Sequence, residues 1–419
     1  MQKILRCLFI ALVFCSSDSI AQDFTYSNVN LVSVTFSGGN LAIRKDSVGG
    51  IVYPTPQYNY NATLQRPVAY VSGVAPRVAA SFTIDCPTVP VSVDVRGFGS
   101  DSINFAPATA TLTPVSGTVH SFSYPATTGS HVFAASIVRF FKPYTINWEI
   151  SFDGGTTWKS AGTSNNTLYV TRSAPQTEGT NFKWYHTVFD ISCRNAQGYS
   201  TDTAIIARVW SEFTDQIVLN YKDDSLFYYK IMNTTNTNLG SLLQYKDAQC
   251  YTFAQLFLAT IKIQGVVRTS NYVYITPISN VVCGYNVNRF IVKNWTFGTA
   301  TGAATCSTFP WKNTYNAITG SIPPPYNQYV FTTADVTDQS GIPGSCNVRP
   351  SSYFNNHQIA KIDGVYYDAC YGVTFPTLVS IKTAAFSGWS FRYTSGTTTN
   401  CFFTNNMTLS DLSESISTF

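Results

Sequence analysis

Three side chains in the second half of the chain have the types needed for acyl transfer by a sulfur nucleophile: Cys250, His357 and Asp368. Cysteine attacks as its thiolate. It needs a base to take the proton, and the base needs a third group to hold its tautomer and stabilise the resulting cation. The stretch from Lys246 to Leu258 predicts a helix that opens near Cys250. Asp247 is a good N-cap. Phe253, Ala254, Phe257, Leu258 and Ile261 recur at helical spacing, and Gly265 is a natural stop. Cys250 then falls in the first turn, where unpaired N–H groups and the macrodipole favour a thiolate. A small core cysteine would fit the same position.

The segment Asn356 to Asp368 predicts a hairpin, because Asp363-Gly364 stands between β-prone runs. With a two-residue turn, Ile362 faces Val365 and Ile359 faces Asp368. His357 is then diagonal to Asp368 on the same face of the sheet, within hydrogen-bonding reach. An ordinary hairpin with a surface histidine fits that segment equally well.

The order Cys…His…Asp resembles the transglutaminase-like superfamily. The resemblance rests on Cys250-Tyr251-Thr252-Phe253-Ala254, on Gly265 and Arg268 after the helix, and on His357, Gly364 and Asp368. It covers residues 200–395. It implies a papain-like α+β fold with the cysteine helix packed on an antiparallel sheet, and a protein or peptide substrate. Ile359 and Lys361 stand where the family often has Trp and Glu, and Ala369 follows Asp368 where it often has Pro. Candidate oxyanion donors are the Cys250 N–H and the side chains of Tyr245, Gln249 and Trp295. No calcium loop and no His/Cys zinc spacing is visible, so neither metal nor cofactor is expected.

The elements around these residues divide the 419-residue chain into two domains. Residues 1–21 read as a signal peptide. Lys3 and Arg6 precede a short apolar core, and Ser19-Ile20-Ala21 forms a cleavage site. Residues 22–78 read as a β-rich leader with weak periodicity. From 79 to 175, short alternating runs such as Val91–Val95 and Thr145–Ile150 predict an immunoglobulin-like (Ig-like) all-β sandwich. Residues 176–395 form the α+β domain. A helix over 184–196 contains His186, read as a structural histidine, and a second runs over 203–213. Residues 271–277 and 288–297 read as strands. A Gly/Pro/Ser/Thr-rich insertion spans 298–352, and 396–419 reads as a C-terminal tail.

Only 11% of residues are charged, with a net charge of +4. No basic run marks a nucleic-acid surface, and nothing after residue 21 reads as a membrane span. Of ten cysteines, Cys7 and Cys15 fall in the signal, which leaves eight. Export permits disulfides, and Cys283, Cys306, Cys346, Cys370 and Cys401 suggest one or two bridges. A working thiol at Cys250 would leave an odd number for pairing.

The expected protein is therefore a secreted, periplasmic or cell-surface cysteine hydrolase or acyltransferase, with protease, amidase and transamidase as the activities. The alternative is a non-catalytic adhesion protein with a degenerate triad. The sandwich would supply a cell-surface or carbohydrate contact in either case. A third reading comes from Ser151–Trp158, which resembles the Asp-box S-x-D-x-G-x-T-W of sialidases. Asp153-Gly154-Gly155 there also predicts a tight hairpin turn with Trp158 packed beneath it, and no second carboxylate pairs with Asp153.

Overall fold

The computed structural model describes residues 28–63, 65–87, 92–180, 182–228, 236–277, 281–282, 285–292, 353–354, 356–395, 398–404 and 412–418. Residues 1–21, read above as a signal peptide, the 298–352 insertion, Trp295, Cys283, Cys306 and Cys346 lie outside the described residues.

The first half is built from β1 (Asn28–Ser37), β2 (Gln57–Asn59), β3 (Val68–Val71), β4 (Arg77–Asp85), β5 (Ser92–Gly99), β6 (Asn104–Thr111), β7 (Thr113–Ser116), β8 (Val119–Thr128), β9 (Arg139–Ser151) and β10 (Lys159–Thr171). They form two five-stranded sheets, ordered β2-β1-β4-β8-β7 and β3-β10-β9-β5-β6. Alternation drives this packing. Every second residue of β4 is buried, from Val78 to Ile84. The facing residues of both sheets form one core around Trp148, which is completely buried. Phe82 and Tyr124 meet its ring edge-on and Phe105 stacks on it. Its Nε1 donates to Ser164 Oγ at 3.3 Å, so the one polar atom is satisfied. Trp148→Ala should destabilise the protein by about 3–5 kcal/mol, the cost of a large core cavity, read as a lower urea midpoint at an unchanged slope.

The segment 22–78 is not a separate leader. β1 lies between β2 and β4, and β3 pairs in parallel with β10. The periodicity of β1 is broken because its register shifts between Leu31 and Ser33. That shift interrupts the two-residue alternation that marks a strand. The same segment also docks on the second half: Arg44 N–H donates to the Trp184 carbonyl and the His186 N–H donates to the Arg44 carbonyl.

The second half contributes α1 (His186–Asn195), α2 (Asp202–Thr214), β11 (Phe227–Tyr228), α3 (Leu239–Tyr245), β12 (Asp247–Ala248), α4 (Cys250–Lys262), β13 (Ser270–Pro277), β14 (Val281–Val282), β15 (Tyr285–Val292), β16 (Tyr353–Phe354), β17 (His357–Ile362), β18 (Val365–Asp368), β19 (Val373–Phe375), α5 (Leu378–Ala385), β20 (Phe386–Ser395), β21 (Thr398–Thr404) and β22 (Leu412–Thr418). One sheet runs β19-β18-β17-β13-β22 and another β14-β15-β20-β21. Residues 396–419 are thus more than a tail, since β22 forms the edge of the first of these sheets beside β13. Glu414 of β22 accepts from Lys361 Nζ at 3.1 Å and from the Tyr366 hydroxyl, tying that edge to β17 and β18.

Helix α4 packs on β17 and against α1, α2 and α3. It is buried around its whole circumference, and within it only Tyr251 and Lys262 keep partial exposure. An apolar helix of this kind belongs at the centre of a core. Its polar side chains are satisfied: Gln255 Oε1 accepts from Leu239 N–H, and Thr260 Oγ1 donates to the Phe257 carbonyl. The core extends into the first half through Ala69, Val138 and Tyr169. No helix among the described residues is long and apolar enough to cross a membrane.

Candidate active site

Cys250 is the first residue of α4. Gln249, with φ −85° and ψ 171°, occupies the cap position and makes no side-chain cap bond. The expected cap, Asp247, is displaced because Asp247–Ala248 is drawn into a two-residue parallel ladder with Phe227–Tyr228. Backbone pairing there outweighs the local preference of an aspartate for a cap. The N–H of Cys250 opens the helix and has no carbonyl within it to pair with.

The Asp363-Gly364 turn has φ of 48° and 90° at its two residues, the left-handed pair of a type I′ hairpin. Ala360 pairs with Tyr367 and Ile362 with Val365. Continuing that ladder sets Ile359 opposite Asp368 and leaves His357 diagonal to it. The two side chains meet, with His357 Nε2 2.7 Å from Asp368 Oδ2. The remaining carboxylate oxygen, Oδ1, accepts from the Cys370 N–H at 3.1 Å. Both lone-pair regions of the carboxylate are therefore engaged and its orientation is set.

Burial by itself would push the His357 imidazole down. The charge and hydrogen bond of Asp368, with further contributions from the nearby Cys250 side chain, outweigh burial and hold the group up at about 10. Nε2 is committed to Asp368, which leaves Nδ1 as the nitrogen for the thiol. The sequence α4 N-terminus, thiol, imidazole, carboxylate thus forms one connected line. It can move a proton from sulfur to nitrogen and keep the resulting cation paired. All three side chains are nearly sealed, with exposures of 6%, 3% and 5% for Cys250, His357 and Asp368.

Comparison with known proteins returns no match, neither to a protein-family model nor to a curated protein.

The other expected site residues are less centrally placed. Gln249 directly precedes the nucleophile and is half-buried. Tyr245 ends α3 with 58% of its surface exposed. Arg268 bridges Asp202 and the hairpin-turn carboxylate of Asp363 at 3.1 and 3.2 Å. Among the described residues, no group of three or more His, Cys, Asp or Glu is arranged to hold a metal ion.

Two neighbours had no signature in the sequence. Tyr371 lies with its ring 5.7 Å from that of His357. Its backbone is pinned by an N–H bond to the Asp368 carbonyl and by Gln216 Nε2, which donates to its own carbonyl. The thiol of Cys370 points at the main-chain carbonyl of Cys250, 3.9 Å away. Both residues lie in the turn that follows Asp368, and no spacing rule links such a turn to a helix 120 residues earlier.

His186 lies in a different buried network. Its Nε2 is 2.9 Å from the Tyr169 hydroxyl, which donates to Asp190 Oδ1, and its ring stacks on Tyr221 at 3.7 Å. Burial, with Lys142 and Lys222 adding to it, pushes this imidazole down to about 3. It stays neutral and joins β10 to α1. In the Ser151–Trp158 turn, Asp153 Oδ1 accepts from the N–H groups of Thr156 and Thr157, and Oδ2 from Thr157 Oγ1. Hydrogen bonds from Thr157 and Ser151 lower this carboxyl to about 2. It is consumed by the turn, with Trp158 Nε1 donating to the Gly155 carbonyl beneath it.

Proposed function

We propose that this protein is an exported transglutaminase-like cysteine enzyme that transfers acyl groups through a thioester on Cys250. The observation that carries the reading is the 2.7 Å bond between His357 and Asp368, with Cys250 at the start of α4 close enough to the same imidazole to help hold it up. A helix start stabilises a thiolate. The raised imidazole favours an imidazolium beside it. The packing of α4 on an antiparallel sheet is consistent with the papain-like α+β domain, and the two-sheet first half with an Ig-like sandwich.

In this mechanism the Cys250 sulfur attacks a peptide or side-chain amide carbonyl. The carbonyl oxygen becomes an oxyanion, and the Cys250 N–H is the donor closest in sequence to receive it. The intermediate collapses, and the leaving amine takes the proton from His357. Water then resolves the thioester in a protease or amidase, and an amine resolves it in a transamidase. Hydrolysis is the leading reading.

The 6% exposure of Cys250 favours one rival, a surface protein that retains the triad without turnover. Thiol labelling separates the two. At neutral pH, iodoacetamide should modify the folded wild type at Cys250, and Cys250→Ala should lose that label entirely. Equal labelling of the two proteins would end the nucleophile reading.

A further inference from the structure

Cys370 is fully buried in the turn between β18 and β19. The turn that anchors the catalytic carboxylate through the Cys370 N–H also delivers a second sulfur to the first residue of α4. Both Cys250 and Cys370 are thiols in this structure. Two other thiols among the described residues are placed elsewhere. Cys193 of α1 donates to the Val170 carbonyl and accepts from Gln264 Nε2, and Cys86 belongs to the sandwich core. Burial, with the neighbouring Asp368 and Cys250, holds the Cys370 thiol well above the usual range, so it stays protonated in the reduced protein and leaves the peroxide to Cys250. Cys250 keeps a sliver of exposure and Cys370 has none, so a small oxidant meets Cys250 first.

We infer that Cys250 and Cys370 form a reversible oxidation pair, in which Cys370 captures an oxidised Cys250 as an intramolecular disulfide. The inference rests on the reading of Cys250 as a reactive thiolate, and the oxidant is a hydroperoxide. In the first step the Cys250 thiolate attacks a peroxide oxygen: an S–O bond forms and the O–O bond breaks. Sulfur gives up two electrons and becomes the sulfenic acid, and the peroxide's other oxygen leaves as alkoxide or hydroxide, which takes a proton from the His357 imidazolium to become the alcohol or water. In the second step the Cys370 sulfur attacks the sulfenic sulfur. The S–S bond forms, the S–O bond breaks, and the departing hydroxide takes the Cys370 proton and leaves as water. Joining the two requires the Cys250 sulfur to leave the imidazole and face Cys370. The disulfide silences the site and spares Cys250 from irreversible sulfinic acid. A dithiol restores it.

The test uses the full chain and a Cys370→Ser variant. Iodoacetamide labelling of both reduced proteins comes first, and equal labelling of Cys250 is expected. Loss of labelling in reduced wild type would overturn the nucleophile reading and take the pair with it. Each protein is then exposed to hydrogen peroxide, blocked and analysed by peptide mass spectrometry. Wild type should yield one peptide pair joined through Cys250 and Cys370, and dithiothreitol should restore its labelling. Cys370→Ser should instead accumulate Cys250 sulfinic acid, about tenfold more than wild type, with no recovery. A reactive Cys250 that reaches sulfinic acid in wild type without the joined peptide would overturn the pair, and that result needs no variant to fold.

Discussion

Replacing Asp368 by Asn should slow acylation of Cys250 by p-nitrophenyl acetate about 10³–10⁴-fold, the scale of losing the carboxylate that fixes the tautomer in such triads. An Asn side chain can keep the 2.7 Å contact to His357 Nε2 but not the charge. Burial then acts on the imidazole unopposed by Asp368, so His357 should titrate far below about 10. The sign follows from linkage. The folded value lies above the ordinary 6.5, so the protonated pair stabilises the fold fully below pH 6.5. That contribution disappears as pH rises towards 10. The wild-type acylation profile should therefore keep its activity into the alkaline range and fall near pH 10, and the variant's alkaline limb should move to lower pH. An unchanged limb would contradict the assignment of Asp368 as the partner that holds the cation.

Gly372→Ala should cost about 3 kcal/mol or more, from a strained left-handed backbone and a steric clash together. Gly372 has φ +66°, and an added Cβ would lie 2.4 Å from the Phe213 carbonyl oxygen and 2.9 Å from Thr214 Cα. Those atoms are backbone at the end of α2 and cannot rotate away. Gly372 also donates its N–H to the Asp368 carbonyl, so the movement would reach the triad. Gly364→Ala is the matched control. Its φ is +90° with nothing within 4 Å of the added carbon, so it pays only the backbone penalty, about 1 kcal/mol. Urea unfolding of the two variants should rank them in that order, and equal midpoints would show that the α2 contact yields.

Local rules carried far at the candidate site because its parts are local. Asp363-Gly364 demands left-handed backbone at two consecutive positions, which selects one turn and one register. That register alone brings His357 to Asp368. The helix beginning at Cys250 is similarly legible, since its apolar residues extend from Phe253 to Ile261. Its cap was not, because Asp247 is drawn into pairing with Phe227, twenty residues earlier.

The turn chemistry, the helix start and the residue types thus stand in the sequence, each dictated by neighbours a few positions away. Everything that required distant segments to meet was decided by folding. β1 to β3 join the two sheets of the first half although a register shift hides the alternation of β1, and β22 returns as an edge strand although its own residues are mostly polar. Cys250 reaches His357 only because α4 is apolar on all sides and must pack on β17. Cys370 and Tyr371 reach the same place because the turn after Asp368 closes over the start of α4. Such contacts depend on how whole elements bury their surfaces, and no short stretch of residues carries that information.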